Sequence, residues 1–327
     1  MQIICVGDLC CDLIVPYGKM REALSCGDFR KETADKLQVR MQCGGSVGNV
    51  ARHLGRMEAH PVFVTPVCRD PLGDYLTDQM KKADVDMRWV SETDKSNMYC
   101  VAVLDQTGER TMFCFVPPWA DYPRFGEHSF DGIPVFSREI LFTSGMAFLD
   151  DAENNAAVLE FFSRRKEAGA RIVFDLNVRA ESYGYEGERR SSMEKMIALS
   201  DILLGSGKEE FFQVTGKEEI RDAARALLHD GAECVIARDG GNQILVLGEE
   251  LDQYVPVTKV NPVSTIGAGD CFDAAFLNAV ASGEEMIAAV RSASEYTREQ
   301  IIRKKGTIKG VCEKISVNRI SCDRIYA

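Results

Sequence analysis

The chain is short of the residues that build metal centres. Its four histidines, His53, His60, His128 and His229, are scattered through 327 residues with no two at ligand spacing, so a histidine-rich metal site is not its organising feature. The twelve cysteines include no Cys-x-x-Cys pair. Cys5, Cys100, Cys114 and Cys234 sit within apolar runs and read as small buried thiols, not as a disulfide framework or a zinc site. Positive charge is also in deficit. Thirty-nine Lys and Arg against fifty Asp and Glu leave a net charge of −11, which argues against a broad nucleic-acid surface. An anionic ligand would have to be held by local amides and a few cations. No run approaches the ~18 apolar residues of a membrane span. The start, MQIICVGDLCCDLIV, lacks a basic head and a small-residue cleavage site, so it does not read as a signal peptide. Internal repeats, low-complexity tracts and flexible linkers are missing as well. The expectation is one cytoplasmic domain spanning residues 1–327.

Two nucleotide motifs fail on inspection. Gly205-Ser206-Gly207-Lys208 has the look of a P-loop end, but Ile202 stands where its first glycine belongs and Glu209 replaces the Ser or Thr after the lysine. Gly267-Ala268-Gly269 runs on to Phe272, so no G-x-G-x-x-G dinucleotide fingerprint forms.

What is present is an alternation of strands and helices. Apolar content of 45% and charged content of 27% suit a globular core. Short β-rich runs at residues 2–6, 13–15, 61–67 and 87–90 are followed by strands at 140–143, 170–175, 201–204, 234–237 and 243–247. Helices are expected at 43–57, 73–83, 152–168, 193–199, 218–230 and 284–310. Such alternation implies a parallel sheet covered on both faces, with ligands at the carboxyl ends of its strands. Two stretches break the rhythm. Residues 17–42 read as an excursion of two or three short strands. Residues 97–116 read as a hairpin turning at Gln106 to Glu109. Together, roughly 12–42 and 97–118, they suit a small β lid.

Two glycine segments feed helices. Gly44, Gly45 and Gly48 precede an apolar helical face of Val47, Val50, Ala51 and Leu54, with Asn49 able to bind hydroxyls through both donor and acceptor. Gly267, Ala268 and Gly269 lead into a helix that begins near Asp270. The first amides of such a helix are free and suit an anion. Asp270 puts a carboxylate there. It serves equally as a plain N-cap or as a base that deprotonates a hydroxyl attacking a bound phosphate. Asp12, beside the Leu13–Val15 run, is either a ligand for substrate hydroxyls or a solvated turn residue.

The pair of segments, Gly44-Gly45-Ser46-Val47-Gly48-Asn49 and Thr265-Ile266-Gly267-Ala268-Gly269-Asp270, resembles the two signatures of the PfkB (ribokinase-like) carbohydrate kinase family over nearly the whole chain. The resemblance implies a three-layer α/β fold with a mostly parallel central sheet and a β lid. It implies transfer of the γ-phosphoryl group of ATP, with Mg²⁺, to a hydroxyl of a small sugar or sugar acid. Asp270 would be the base, and the amides of Gly267, Ala268, Gly269 and Asp270 the anion hole. Asp12, Gly44, Gly45 and Asn49 would hold substrate hydroxyls. Asp175, Asn177 and Arg179 fit an Asp-x-Asn-x-Arg seen in sugar-kinase members, with Arg179 facing a phosphate or an acidic substrate. Glu210 matches the family's magnesium-linked glutamate. Lys208, Arg238, Gly240 and Thr265 fall at nucleotide positions.

Departures accompany the match. Ser264 stands where the family usually has Asp in a loop that often holds a monovalent cation. Gly207 replaces the family's Asn, and Arg238-Asp239-Gly240 replaces a Leu-Gly turn preceded by Thr or Lys. These losses motivate an alternative, a ligand-binding protein that kept the fold without turnover, against which the intact Gly-Ala-Gly-Asp argues. A nucleoside or sugar-phosphate kinase is the alternative within the enzyme class. Exposed lid edges would pair with a second copy as a homodimer.

Overall fold

The strands whose residues are buried on both sides form the centre of the protein. A computed structural model describes residues 1–27, 30, 37–105, 110–115, 121–229, 232–239, 242–260 and 267–307. Gly240, Ser264 and Thr265 lie outside them, as does the expected turn at 106–109. The strands in chain order are β1 (Gln2–Val6), β2 (Cys10–Val15), β3 (Arg40–Gly44), β4 (Val62–Val64), β5 (Pro66–Cys68), β6 (Ser91–Thr93), β7 (Met98–Leu104), β8 (Arg110–Phe115), β9 (Glu139–Ser144), β10 (Arg171–Asp175), β11 (Ile202–Ser206), β12 (Cys234–Asp239), β13 (Gln243–Gly248) and β14 (Asp252–Pro256). The large sheet has eight strands in the order β14-β13-β12-β11-β10-β9-β1-β4. It is parallel from β12 to β4, and β13 and β14 extend it as an antiparallel edge.

Alternate residues of each strand feed opposite faces, as the period of two requires. Ile3, Cys5, Ile140 and Phe142 pack with helices Ser46–Arg56, Pro71–Lys82, Ala268–Ala281 and Met286–Thr307. Ile4, Val6, Leu141 and Phe174 pack with helices Ala152–Glu167, Gly187–Leu199, Lys208–Thr215 and Ile220–His229. Both faces are thus covered, which is why these strands read as continuous apolar runs. Among the described residues no helix is long and apolar enough to cross a membrane.

A second sheet of four strands runs β3-β2-β7-β8. Its centre pairs β2 with β7 in parallel, Asp12 opposite Cys100, while β3 and β8 flank it antiparallel. The hairpin expected at 97–116 supplies β7 and β8. The run of short strands expected over 17–42 is corrected. Helix Tyr17–Cys26 occupies its start, ended by Gly27 in the left-handed conformation at φ 64°, and among the described residues of the stretch the extended part is β3. The strand expected at 87–90 is also displaced, to Ser91–Thr93, where it pairs with Pro66–Cys68.

The strand order reverses at β1, which lies between β4 and β9. The chain leaves β1 toward β4 and later returns on the other side. The connections therefore diverge there and open a crevice at the carboxyl ends of the strands, where ligands bind in open α/β sheets.

Candidate active site

The two glycine segments meet at that crevice although they are far apart in sequence. Asp270 stands in the first turn of helix Ala268–Ala281, and both its oxygens are engaged by the other segment. The Ser46 hydroxyl donates to Oδ1 at 3.1 Å and the Asn49 amide to Oδ2 at 2.9 Å. Asn49 cannot turn its carbonyl to the carboxylate, because Arg52 donates to Asn49 Oδ1 at 2.6 Å. Ser46 in turn accepts from the Asn177 amide at 2.8 Å, and Asn177 Oδ1 accepts from Arg179 Nε at 2.8 Å. Burial pushes the Asp270 carboxyl up to about 6, with Asp8 and Asp175 adding to the rise and the bonds from Asn49 and Ser46 opposing it. A carboxylate titrating just below neutrality, at the bottom of a cleft, suits proton abstraction from an alcohol at physiological pH.

The two helix N-termini differ in whether they are open. Gly267 caps helix Ala268–Ala281 in the left-handed conformation at φ 72° and has no side chain to cap with, and among the described residues no side chain bonds the first amides. Such amides suit an anion. At helix Ser46–Arg56 the corresponding amides are taken. Asp8, just past β1, accepts from the Ser46 amide at 2.7 Å and from the Val47 amide at 3.0 Å. The glycines of this segment serve close approach within the protein itself. A Cβ on Gly45 would lie 2.6 Å from the Asp8 carbonyl oxygen, and φ there is 94°. A Cβ on Gly44 would lie 2.4 Å from Asp12 Oδ1. Gly44 thus makes room for the Asp12 side chain, which accepts from Gln42 Nε2 at 3.3 Å. Asp12 lies within strand β2, not ahead of it as its position before the apolar run suggests.

The segment after β10 carries backbone strain. Asn177 and Arg179 have φ of 32° and 48°, in the region that favours glycine. Buried Val178 between them is pinned from both sides. Its amide donates to Glu210 Oε1 at 2.9 Å and its carbonyl accepts from Arg189 Nη2 at 2.7 Å. The pinned corner turns Asn177 toward Ser46 and leaves Arg179 exposed at the rim.

The nucleotide-side expectations divide. Lys208 is exposed and reaches Glu219 at 3.3 Å, away from the Asp270 cluster. Arg238 is turned inward. Its guanidinium donates to Asp273 Oδ1 at 2.6 Å and Asp175 Oδ1 at 3.2 Å, so the phosphate contact expected from the sequence is not the one the structure shows. Glu210 accepts from the amides of Val178 at 2.9 Å and Ser206 at 2.6 Å. Burial, followed by the charge of Asp175, pushes it up to about 7. Among the described residues no cluster of three or more His, Cys, Asp or Glu is set to hold a metal ion.

Sequence reasoning assigned no role to Ser46, Asp8 or Asp273. Ser46 was visible inside Gly-Gly-Ser-Val-Gly-Asn, and Asp8 as an acid directly after the glycine that ends β1. Asp273 carried no signal, since it falls within an apolar helix.

Known proteins share this arrangement of chain. A model of the pfkB family carbohydrate kinases matches residues 1–313. Aminoimidazole riboside kinase of Salmonella typhimurium is 27% identical over 240 residues, 73% of this chain and 74% of that protein. Probable fructokinase-7 of Arabidopsis thaliana is 25% identical over 285 residues, 86% and 79%. Fructokinase from Vibrio cholerae O395, solved in fructose, ADP and calcium ion bound form, superimposes with a TM-score of 0.74 at 24% identity, covering 90% of each chain. Its likeness, at that identity, is one of fold. The match along nearly the entire chain, joined to a carboxylate set among open helix amides, identifies the chain as a member of the pfkB family, an ATP-dependent carbohydrate kinase.

Proposed function

We propose that the protein transfers the γ-phosphoryl group of ATP to a hydroxyl of a small sugar or sugar acid, with Asp270 as the base. The observation that carries this reading is Asp270 in the first turn of a helix capped by a glycine, whose first amides no side chain among the described residues bonds. The acceptor hydroxyl gives its proton to an Asp270 oxygen as its own oxygen bonds the γ-phosphorus. The bond from that phosphorus to the β–γ bridging oxygen breaks, and ADP leaves. The amides of Ala268, Gly269 and Asp270 face the developing negative charge; removing one such donor typically costs ~3–4 kcal/mol of barrier. Asp12 and Asn49 are the hydroxyl ligands of the acceptor. Glu210, together with substrate phosphates, would hold magnesium, which would supply charge neutralisation; each Glu210 oxygen accepts one amide bond and retains a further lone pair.

The strained Asn177–Arg179 corner favours an acceptor with an acid or phosphate group, since an exposed guanidinium at the rim of the cleft suits bidentate recognition. The small sheet β3-β2-β7-β8 carries Asp12 and would close over the acceptor to exclude water. Its outer strands β3 and β8 are edges on which a second copy would pair. The cytoplasm, where ATP is abundant, is the expected compartment.

The test is ADP formation with Mg-ATP against sugars, sugar acids, sugar phosphates and nucleosides, for the wild type and Asp270→Asn side by side. Acceptor-dependent turnover that collapses in the variant supports the reading. Turnover that survives it removes Asp270 from the role of base. Acceptor binding without turnover in the wild type favours the binding-protein alternative.

A further inference from the structure

Arg238 is the most heavily engaged cation near the site, and the chemistry above does not use it. Its side chain is 12% exposed at the end of β12. It ties helix Ala268–Ala281 to the ends of two neighbouring strands. Nη2 donates to Asp175 Oδ1 at the end of β10 at 3.2 Å, and Nε to the Gly205 carbonyl in β11 at 3.2 Å. Nη1 donates to Asp273 Oδ1 at 2.6 Å and to the Gly269 carbonyl at 3.3 Å, both in helix Ala268–Ala281. The guanidinium also lies 5.2 Å from the centre of the Phe272 ring on the same helix. Asp273 and Asp175 are otherwise buried carboxylates, with side chains 0% and 6% exposed.

We propose that Arg238 is a positioning residue for phosphoryl transfer, a clamp that fixes the first turn of helix Ala268–Ala281 to the ends of β10, β11 and β12 through the Gly269 carbonyl and Asp273. The inference rests on the kinase reading of this helix. The Gly269 carbonyl belongs to the peptide that carries the Asp270 amide, so the clamp acts one bond from the anion hole and on the backbone of the base. A planar fork is required, because the donors point at once to a helix carbonyl, a helix carboxylate, a strand carbonyl and a strand-end carboxylate. A lysine ammonium presents no such fork. The clamp also reaches the opposite wall of the cleft. Asp175 starts the segment whose Asn177 holds Ser46, and Ser46 holds Asp270. Burial works against the charge of Arg238, but Asp273, Asp175 and Glu210 outweigh it and keep the guanidinium protonated.

A purely structural ion pair and a clamp differ in what restores function. Loss of one partner of a buried pair is strongly destabilising, whereas removing both restores balance. The experiment compares Arg238→Gln, the charge-balanced double Arg238→Gln/Asp273→Asn, and Arg238→Lys with the wild type. The readouts are Tm, kcat and KM for the fastest acceptor of the panel above, KM for Mg-ATP, and hydrogen exchange of the amides of 271–273, the first of the helix with a backbone partner.

The double variant is expected to regain part of the Tm lost by Arg238→Gln, since Asp175 stays without its cation, while kcat stays down by about 100-fold, the scale of an ångström of misplacement. KM for the acceptor is expected to hold, and exchange at 271–273 to remain accelerated. Arg238→Lys is expected to keep Tm near the wild-type value and still lose kcat. Recovery of kcat in step with Tm would reduce Arg238 to a fold-holding residue. A rise in KM for Mg-ATP of tenfold or more with kcat spared in Arg238→Lys would make it a phosphate ligand. If the wild type turns over no acceptor, the kinase reading fails on its own. The clamp is then decided by exchange: protection of 271–273 unchanged in the double variant overturns it, and accelerated exchange upholds it.

Discussion

Replacing Asp270 by Asn should abolish turnover and, at neutral pH, stabilise the fold. The base is kept in an environment that disfavours its charge. Burial lifts its carboxyl from an ordinary 3.8 to about 6, against the bonds from Asn49 and Ser46. A rise of about two units is worth about 3 kcal/mol between the protonation states. The folded carboxylate holds its proton where the unfolded one has released it. The penalty is therefore absent below pH ~4, grows between pH ~4 and ~6, and is complete above pH ~6.

Asparagine removes the charge but disturbs the network. Asn49 is held by Arg52 with its amide toward position 270, so the new side chain must turn its own amide to Ser46, and one bond worth about 1 kcal/mol is lost. The net gain at pH 8 is about 1–2 kcal/mol, or a Tm rise of about 1–3 °C in a chain of this length. Differential scanning fluorimetry of both proteins from pH 4 to pH 8, without ligands, reads this directly. The Tm difference should be slightly negative at pH 4, where only the lost bond counts, and positive above pH 6. A variant less stable than the wild type at pH 8, or a difference that does not change with pH, would refute the argument that burial sets this carboxyl. The kinetic counterpart is a drop in kcat of about 10²–10⁴-fold, the usual contribution of a positioned base.

In the wild type, kcat at saturating substrates should fall on the acid side of pH ~6 as Asp270 protonates, and Asn49→Ala should move that limb upward, since the strongest of the bonds that favour the carboxylate is lost; a pH–rate profile checks both. Gly44→Ala should raise the acceptor KM about 10-fold or more with kcat largely kept, because a Cβ 2.4 Å from Asp12 Oδ1 displaces that carboxylate; steady-state kinetics decide it. Asp8→Ala should cost about 1–2 kcal/mol by urea unfolding, since it frees the Ser46 and Val47 amides, and should lower kcat through the displaced Ser46. Lys208→Ala should leave kcat unchanged and shift stability by less than about 1 kcal/mol, as expected of an exposed pair with Glu219.

The parts of the site written in neighbouring residues were legible in advance. Gly-Ala-Gly-Asp ahead of an apolar helical face marked the open helix end, and Gly-Gly-Ser-Val-Gly-Asn marked its counterpart. Misreadings arose where local patterns were ambiguous. Tyr17–Cys26 has a weakly amphipathic, mixed composition that gives neither period clearly, and its contacts with the small sheet decide for helix. Glycines 44 and 45 announced a close approach without naming what approaches, and it is Asp8 and Asp12 of the same chain.

Sequence alone determined that strands and helices alternate, that the sheet is covered on both faces, and that a helix begins near Asp270 at a Gly-Ala-Gly turn, which the structure places at Ala268. These are consequences of period, turn chemistry and propensity, which act over a few residues. Only the tertiary structure decided which side chains meet. Ser46 and Asp270 are 224 positions apart, and Asn177 and Ser46 are 131 apart. Arg238 faces inward because β10, β11 and β12 are neighbours, which brings Asp175 and Asp273 within reach of its guanidinium. In low dielectric a buried charge must find a partner. The order of strands in space, which no local pattern records, chose that partner.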